Sequence, residues 1–203
     1  EAVNYELTTV TPADWVPGPA QGDWTYEEYA ALTRDGECYE VAQGVLVMSP
    51  APEVPHQKVV GAIYRYLCEK IEDQGSGDVL QAPLDVILSE REVYQPDVLV
   101  VLKEHASRVR RKGVVGAPDL VVEVVSPGSV LYDRVNKHMA YELAGIPEYW
   151  LVYVDKQTIE LFLLENRKYR SAGIFQGEQI LPSRIIPQMT VSVARFFASV
   201  KKL

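Results

Sequence analysis

The stretch Leu120–Val125, LVVEVV, sets the tightest constraint on what this 203-residue chain can fold into. A nearly continuous apolar run of that length reads as a strand buried on both faces, in the middle of a sheet covered by helices. Glu123 sits inside the run. A second run, Val98–Leu102, begins directly after Pro96-Asp97 in YQPDVLVV. A carboxylate taken out of water is costly unless a cation, hydrogen-bond donors or a metal compensates it. The fold must therefore bring partners to two acids held on core strands.

The remaining pattern supplies elements on both sides of these strands. Thr25 with Glu28 three residues on is a capping-box signature and predicts a short helix. In CYEVAQGVLVMSP, two β-prone runs flank Gly44 and predict a hairpin. A long helix is expected from about His56 to Asp73, with Val60, Ile63, Tyr64, Leu67 and Ile71 on one face. DVLQAPLDVILSE predicts one or two strands. A second helix is expected from Ser129 to about Ala144, where Gly145 and Pro147 stop it. Three more strands follow in EYWLVYVD, TIELFLLE and KYRSAGIF, then a short helix near 193–200. Residues 1–22 read as an irregular arm, and 23–203 as a single domain. The fold class expected is α/β, a central mixed β-sheet flanked by helices.

The formal net charge of −8 and a pI of about 5.0 argue against a non-specific nucleic-acid coat, which would be basic. They do not exclude a nuclease, because an acid cluster that takes up metal carries its own negative charge. RVRRKG, Arg108–Gly113, is the one stretch suited to phosphate contact, although such a charge run reads first as a solvated loop. No apolar run approaches the roughly 20 residues needed to cross a bilayer, so no membrane partner is expected. Cys38 and Cys68 lack metal-ligand spacing and no secretory signal opens the chain, so a reducing, cytoplasmic setting is expected.

The helix after Glu123 carries two rows at i, i+4 spacing. One is apolar: Leu131, Val135, Met139, Leu143. The other is Asp133, Lys137, Tyr141. Lys137 could lean back over the carboxylates, but spacing alone favours a solvated Asp133–Lys137 pair worth a few tenths of a kcal/mol. If the strands of Asp97 and Glu123 are neighbours, their carboxylates suit Mg²⁺. Two separate salt bridges, for instance to Arg91 or Arg134, are as good a reading of the pattern. Asp119 lies four residues before Glu123, about 13 Å along a strand at ~3.3 Å per residue, too far to share one cation.

Tyr39-Glu40 with Gly44 following, His56-Gln57, QPDVLVV, and above all PDLVVEVVSPGSVLYDRVNKHMAYELAGIPEYWLV resemble the Uma-two family of restriction endonucleases. The resemblance implies the restriction-endonuclease-like fold of the PD-(D/E)XK superfamily, a Mg²⁺ or Mn²⁺ cofactor, and hydrolysis of nucleic acid, with DNA as the expected partner. It makes Asp97, Glu123 and Glu40 the catalytic acids and metal ligands. Val125 stands where the superfamily motif has lysine, and Lys137 on the following helix would take that role. Asp133 and Tyr141 would position Lys137 from behind. His56 is expected as a supporting contact at the helix start rather than a ligand. Gln43 and Val45 replace two acids common in the family, so the hairpin turn is not expected to bind metal. By analogy with the fold, a homodimer is expected. The alternatives are a nuclease-like fold that binds or scaffolds without cutting, and acids that are purely structural.

Overall fold

The computed structural model describes residues 10–32, 36–49, 51–126, 128–186 and 188–200. The first nine residues of the expected arm, and Pro127, lie outside the described residues.

Helix α1, Tyr26–Ala30, starts as its capping box requires, with the Thr25 N–H donating to the Glu28 carboxylate at 3.0 Å. Strands β1, Cys38–Ala42, and β2, Val45–Ser49, form the expected hairpin. Its turn residues Gln43 and Gly44 both have positive φ, 53° and 77°, as a tight two-residue turn demands. Helix α2, Val54–Leu67, continues through a wide π-type turn at Cys68–Glu72. Then come β3 (Gly77–Gln81), β4 (Asp85–Ser89), β5 (Glu92–Tyr94), β6 (Val98–Leu102), β7 (Val109–Arg110), β8 (Gly113–Val115) and β9 (Leu120–Val125). A helical segment with π-type turns at Tyr132–Lys137 leads into α3, His138–Ala144. Strands β10 (Glu148–Tyr153), β11 (Thr158–Glu165) and β12 (Lys168–Gln176) and the short α4 (Ala194–Phe197) complete the order.

The expected central sheet is two mixed sheets. One runs β2-β1-β5-β4-β8-β7 and the other β12-β11-β10-β9-β6-β3. In the second, β9 lies between β10, its parallel partner, and β6, its antiparallel one. The helical segment before and through α3 connects the parallel pair, as a parallel connection requires.

Period-2 alternation along β9 decides where Glu123 points. Leu120, Val122 and Val124 pack with Val59, Ile63 and Leu67 of α2 and with Trp150. Val121 and Val125 belong to the other core, with Val47, Val86, Val114 and Tyr141. Glu123 shares their face, toward the first sheet. Because Val98 pairs with Val122, Asp97 comes level with Glu123 on the neighbouring strand.

The helix after β9 packs in the opposite sense to its hydrophobic pattern. Leu131, Val135 and Leu143 are 47%, 39% and 73% exposed, whereas Asp133, Lys137 and Tyr141 are 4%, 5% and 0% exposed. The buried acids of the sheets demand a cation, and that demand outweighs the burial of the aliphatic row. Tyr132, Ala140 and Tyr141 supply the apolar packing instead.

His138 sets its ring edge-on against Phe162, centroids 4.6 Å apart, and against Tyr169 at 5.0 Å. Burial lowers its pKa below the ordinary 6.5. Its stabilising contribution is therefore complete above about pH 6.5 and is lost as pH falls through the lower folded value. His138→Phe keeps the ring contacts without a titrating group. The melting temperature of this variant relative to wild type should rise as pH is lowered from about 7.5 to 5.5. Parallel melting curves across that range would contradict the assignment.

Candidate active site

The Lys137 ammonium bridges the two sheets. It lies 3.0 Å from Glu40 Oε1 on β1, 3.0 Å from Glu123 Oε1 on β9, and 3.6 Å from Asp133 Oδ1 one turn earlier on its own helix. The Tyr141 hydroxyl donates to the same Glu123 oxygen at 2.6 Å. The Tyr132 ring lies 5.5 Å from the Lys137 nitrogen, within reach of a cation–π contact. Asp97, at the mouth of β6, accepts the Val124 N–H at 2.7 Å through Oδ2, and His56 Nε2 sits 3.2 Å from the same oxygen. The Asp133–Lys137 pair is thus buried rather than solvated. Neither arginine considered for separate salt bridges serves these acids. Arg91 donates to the carbonyls of Gly22 and Gln43, and Arg134 pairs with Glu160.

Burial and neighbouring charge shift the proton affinities of the site. Burial raises the Glu123 pKa well above the usual carboxylate range; Lys137 opposes this, and Asp133, Asp97 and Glu40 add to it. Burial also pushes Asp133 up to about 6 against the pull of Lys137. For Lys137, burial would lower the pKa, but Glu123, Glu40, Asp133 and Asp97 outweigh it and hold the side chain as an ammonium. His56 follows the same logic: burial opposes, Asp97 prevails, and its pKa is raised. The cluster sets one lysine among four acids, and the crowding of acids that adds to the Glu123 shift is what a second cation would relieve.

The donor set fits a hard divalent cation in chemistry. Glu40, Asp97 and Glu123 offer carboxylate oxygens, and the buried Glu40 Oε2 has no hydrogen-bond partner. As the side chains stand, however, no three His, Cys, Asp or Glu groups among the described residues converge to hold an ion. Asp97 and His56 are the least buried of the side chains predicted for the site, at 18% and 12% exposed. A groove of about 440 Å³ on α2 and a cavity of about 190 Å³ beside Val125 are lined by none of the site residues.

Other buried acids are satisfied in place. Glu148 accepts from Trp150 Nε1 at 2.6 Å and from the Arg184 and Ile185 N–H groups. Asp119, already set apart by its distance along β9, is held by His105 and the Leu102 N–H. Two site members were invisible in the sequence. The Gln95 N–H donates to Glu40 Oε1 at 2.7 Å, and Tyr132 walls the lysine. The only signal for Gln95 was its place two residues before Asp97. For Tyr132 there was none beyond a position one turn before Asn136 and Lys137.

Two packed mixed sheets with a lysine-bridged acid pair between them make this an α/β protein with a charged site between its sheets. Residues 26–194 match the model of Uma2, described as putative restriction endonuclease, and the chain belongs to that family. Among solved structures, a putative nuclease belonging to DUF820 from Anabaena variabilis ATCC 29413 superposes with a TM-score of 0.73 at 17% identity. The match covers 86% of this chain and 97% of that one. A search of curated proteins finds no significant match.

Removing the ammonium should strand the three buried carboxyl groups it pairs with, Glu40, Glu123 and Asp133. Lys137→Met is expected to lower stability at pH 7 by about 3–5 kcal/mol, the scale for breaking a buried ion pair from one side. The loss should shrink toward pH 5, where the acids can take up protons. Urea unfolding at both pH values measures it, and an unchanged midpoint at pH 7 would contradict the bridging role.

Proposed function

We propose that the protein is a metal-dependent endonuclease that hydrolyses phosphodiester bonds of DNA. The observation that carries this reading is the Lys137 ammonium, 3.0 Å from both Glu123 and Glu40, beside the neighbouring strand that presents Asp97. Asp97, Glu123 and Glu40 would hold Mg²⁺ or Mn²⁺. That cation, when bound, polarises the scissile phosphate and lowers the pKa of a coordinated water. Lys137 contributes fixed positive charge where negative charge develops on the phosphate, and it orients the attacking water. Asp133 and Tyr141 fix the lysine and the Glu123 oxygen it faces. His56 fixes Asp97. Val125, packed in the core at the motif's lysine position, leaves the whole cationic role to the helix.

Purified protein should cleave plasmid DNA with Mg²⁺ or Mn²⁺ and not with EDTA, and Glu123→Gln and Lys137→Ala should each reduce cleavage by at least about 10²-fold. Metal-dependent cleavage that persists in both variants would sink the assignment. Calorimetric titration with Mn²⁺ should show weaker binding to Asp97→Asn than to wild type, and equal binding would remove Asp97 from the ligands.

One observation favours a second reading, a nuclease fold that binds nucleic acid without cutting. Lys137 is already committed to three carboxylates in a buried site. The same plasmid assay separates the readings.

The proposal extends to a homodimer, since cutting both strands at related positions is simplest with two-fold symmetry. Sedimentation velocity should give about twice the 22.8 kDa chain mass. No described helix is long and apolar enough to cross a membrane. The free thiols of Cys38 and Cys68 suit a reducing, cytoplasmic setting.

A further inference from the structure

The segment 103–112 carries Lys103, Arg108, Arg110, Arg111 and Lys112 against a single acid, Glu104. It holds a net +4 in a chain whose total is −8, so the rest of the chain stands at −12. The structure makes this charge run a rigid hairpin rather than a loose loop. In β7 and β8, Val109 pairs with Val114 and Arg110 with Gly113, leaving Arg111-Lys112 as the turn. Gly113 allows β8 to lie against β4, because a Cβ there would meet the Asp85 carbonyl oxygen at 2.4 Å. The preceding 3-10 turn, Lys103–Arg108, is braced by His105 on Asp119 at 2.8 Å and by Arg108 on the Ala117 carbonyl at 2.6 Å. Lys103, Arg110, Arg111 and Lys112 are exposed and form no ion pair with a described carboxylate. Their mutual repulsion destabilises the free protein and is relieved by a polyanion.

The hairpin is the edge of the sheet that supplies Glu40. Four strand spacings separate β1 from β7, about 19 Å at ~4.8 Å each. That is about five to six phosphates along one strand of a duplex at ~3.4 Å each. We propose that this hairpin grips the sugar-phosphate backbone of duplex DNA about half a helical turn from the scissile phosphate, without reading sequence. The inference rests on the nuclease reading above.

The test is the salt dependence of binding to a fluorescent duplex of about 30 base pairs, followed by anisotropy in EDTA between about 50 and 200 mM salt. Arg110→Gln/Arg111→Gln/Lys112→Gln should flatten the slope of log K against log salt by about 2–3. Each lost phosphate contact should weaken binding about tenfold near 0.1 M salt. Lys58→Gln/Arg65→Gln, in the groove on α2, should leave the slope as in wild type. The melting temperature of the triple variant should not fall below that of wild type, and relief of the repulsion should raise it slightly. An unchanged slope in the triple variant overturns the inference, and metal-dependent plasmid cleavage by wild type would then leave the nuclease reading standing. A flattened slope without cleavage by wild type supports the grip and overturns the cutting reading. A wild type that neither binds nor cuts DNA overturns both.

Discussion

A buried ammonium ties the two sheets to each other across the hydrophobic core they share. Lys137 pairs with Glu40 from one sheet and Glu123 from the other. A buried ion pair gains little over well-packed apolar residues, but losing one member is costly, so the arrangement is best understood as a constraint on geometry. It dictates that β9 present its acid toward the first sheet, that β1 present Glu40 across from it, and that the following helix turn its polar row inward. It also explains the three aliphatic side chains left in water. The helix has one orientation that neutralises the acids, and Leu131, Val135 and Leu143 fall on the far side.

Local chemistry made many elements legible in the sequence. The capping box of Thr25 and Glu28, the Gly44 turn and the Gly145 stop each act over a few residues, and each appears where the pattern places it. The division into two sheets was not legible. It depends on β1 pairing with β5 and β4 with β8, contacts between residues far apart in the chain. The orientation of the Lys137 helix was hidden for a related reason. Hydrophobic periodicity weighs the residues of one helix alone, whereas the deciding charges lie on β1 and β9. Glu123 and Asp97 announced themselves by standing against apolar runs. Glu40, on a short and ordinary hairpin, was reached only through family resemblance. Gln95 contributes a backbone N–H, which no side-chain pattern can reveal.

Burial by itself does not mark the site. Glu148 is as buried as Glu40, yet its carboxylate is saturated by an indole and two backbone N–H groups. Glu40 keeps one oxygen without a partner and shares the other between a lysine and a backbone N–H. An acid held in this incompletely satisfied state is poised to accept another positive group. The contrast separates acids that close the fold from acids left open to chemistry.

The π-type turns at Tyr132–Lys137 bear on how the chain can vary in length. A π-type turn holds more residues than an α-helical one and commonly behaves as an inserted residue. Deleting one residue ahead of the π-type turns, with those turns kept, would turn the helix that follows by about 100° relative to what precedes it. Lys137 and Tyr141 would then leave Glu123 even though every side chain of the site was still encoded. Indels should thus be far better tolerated in the Asn166-Arg167 turn between β11 and β12 than in this stretch, where residue count itself is part of the site.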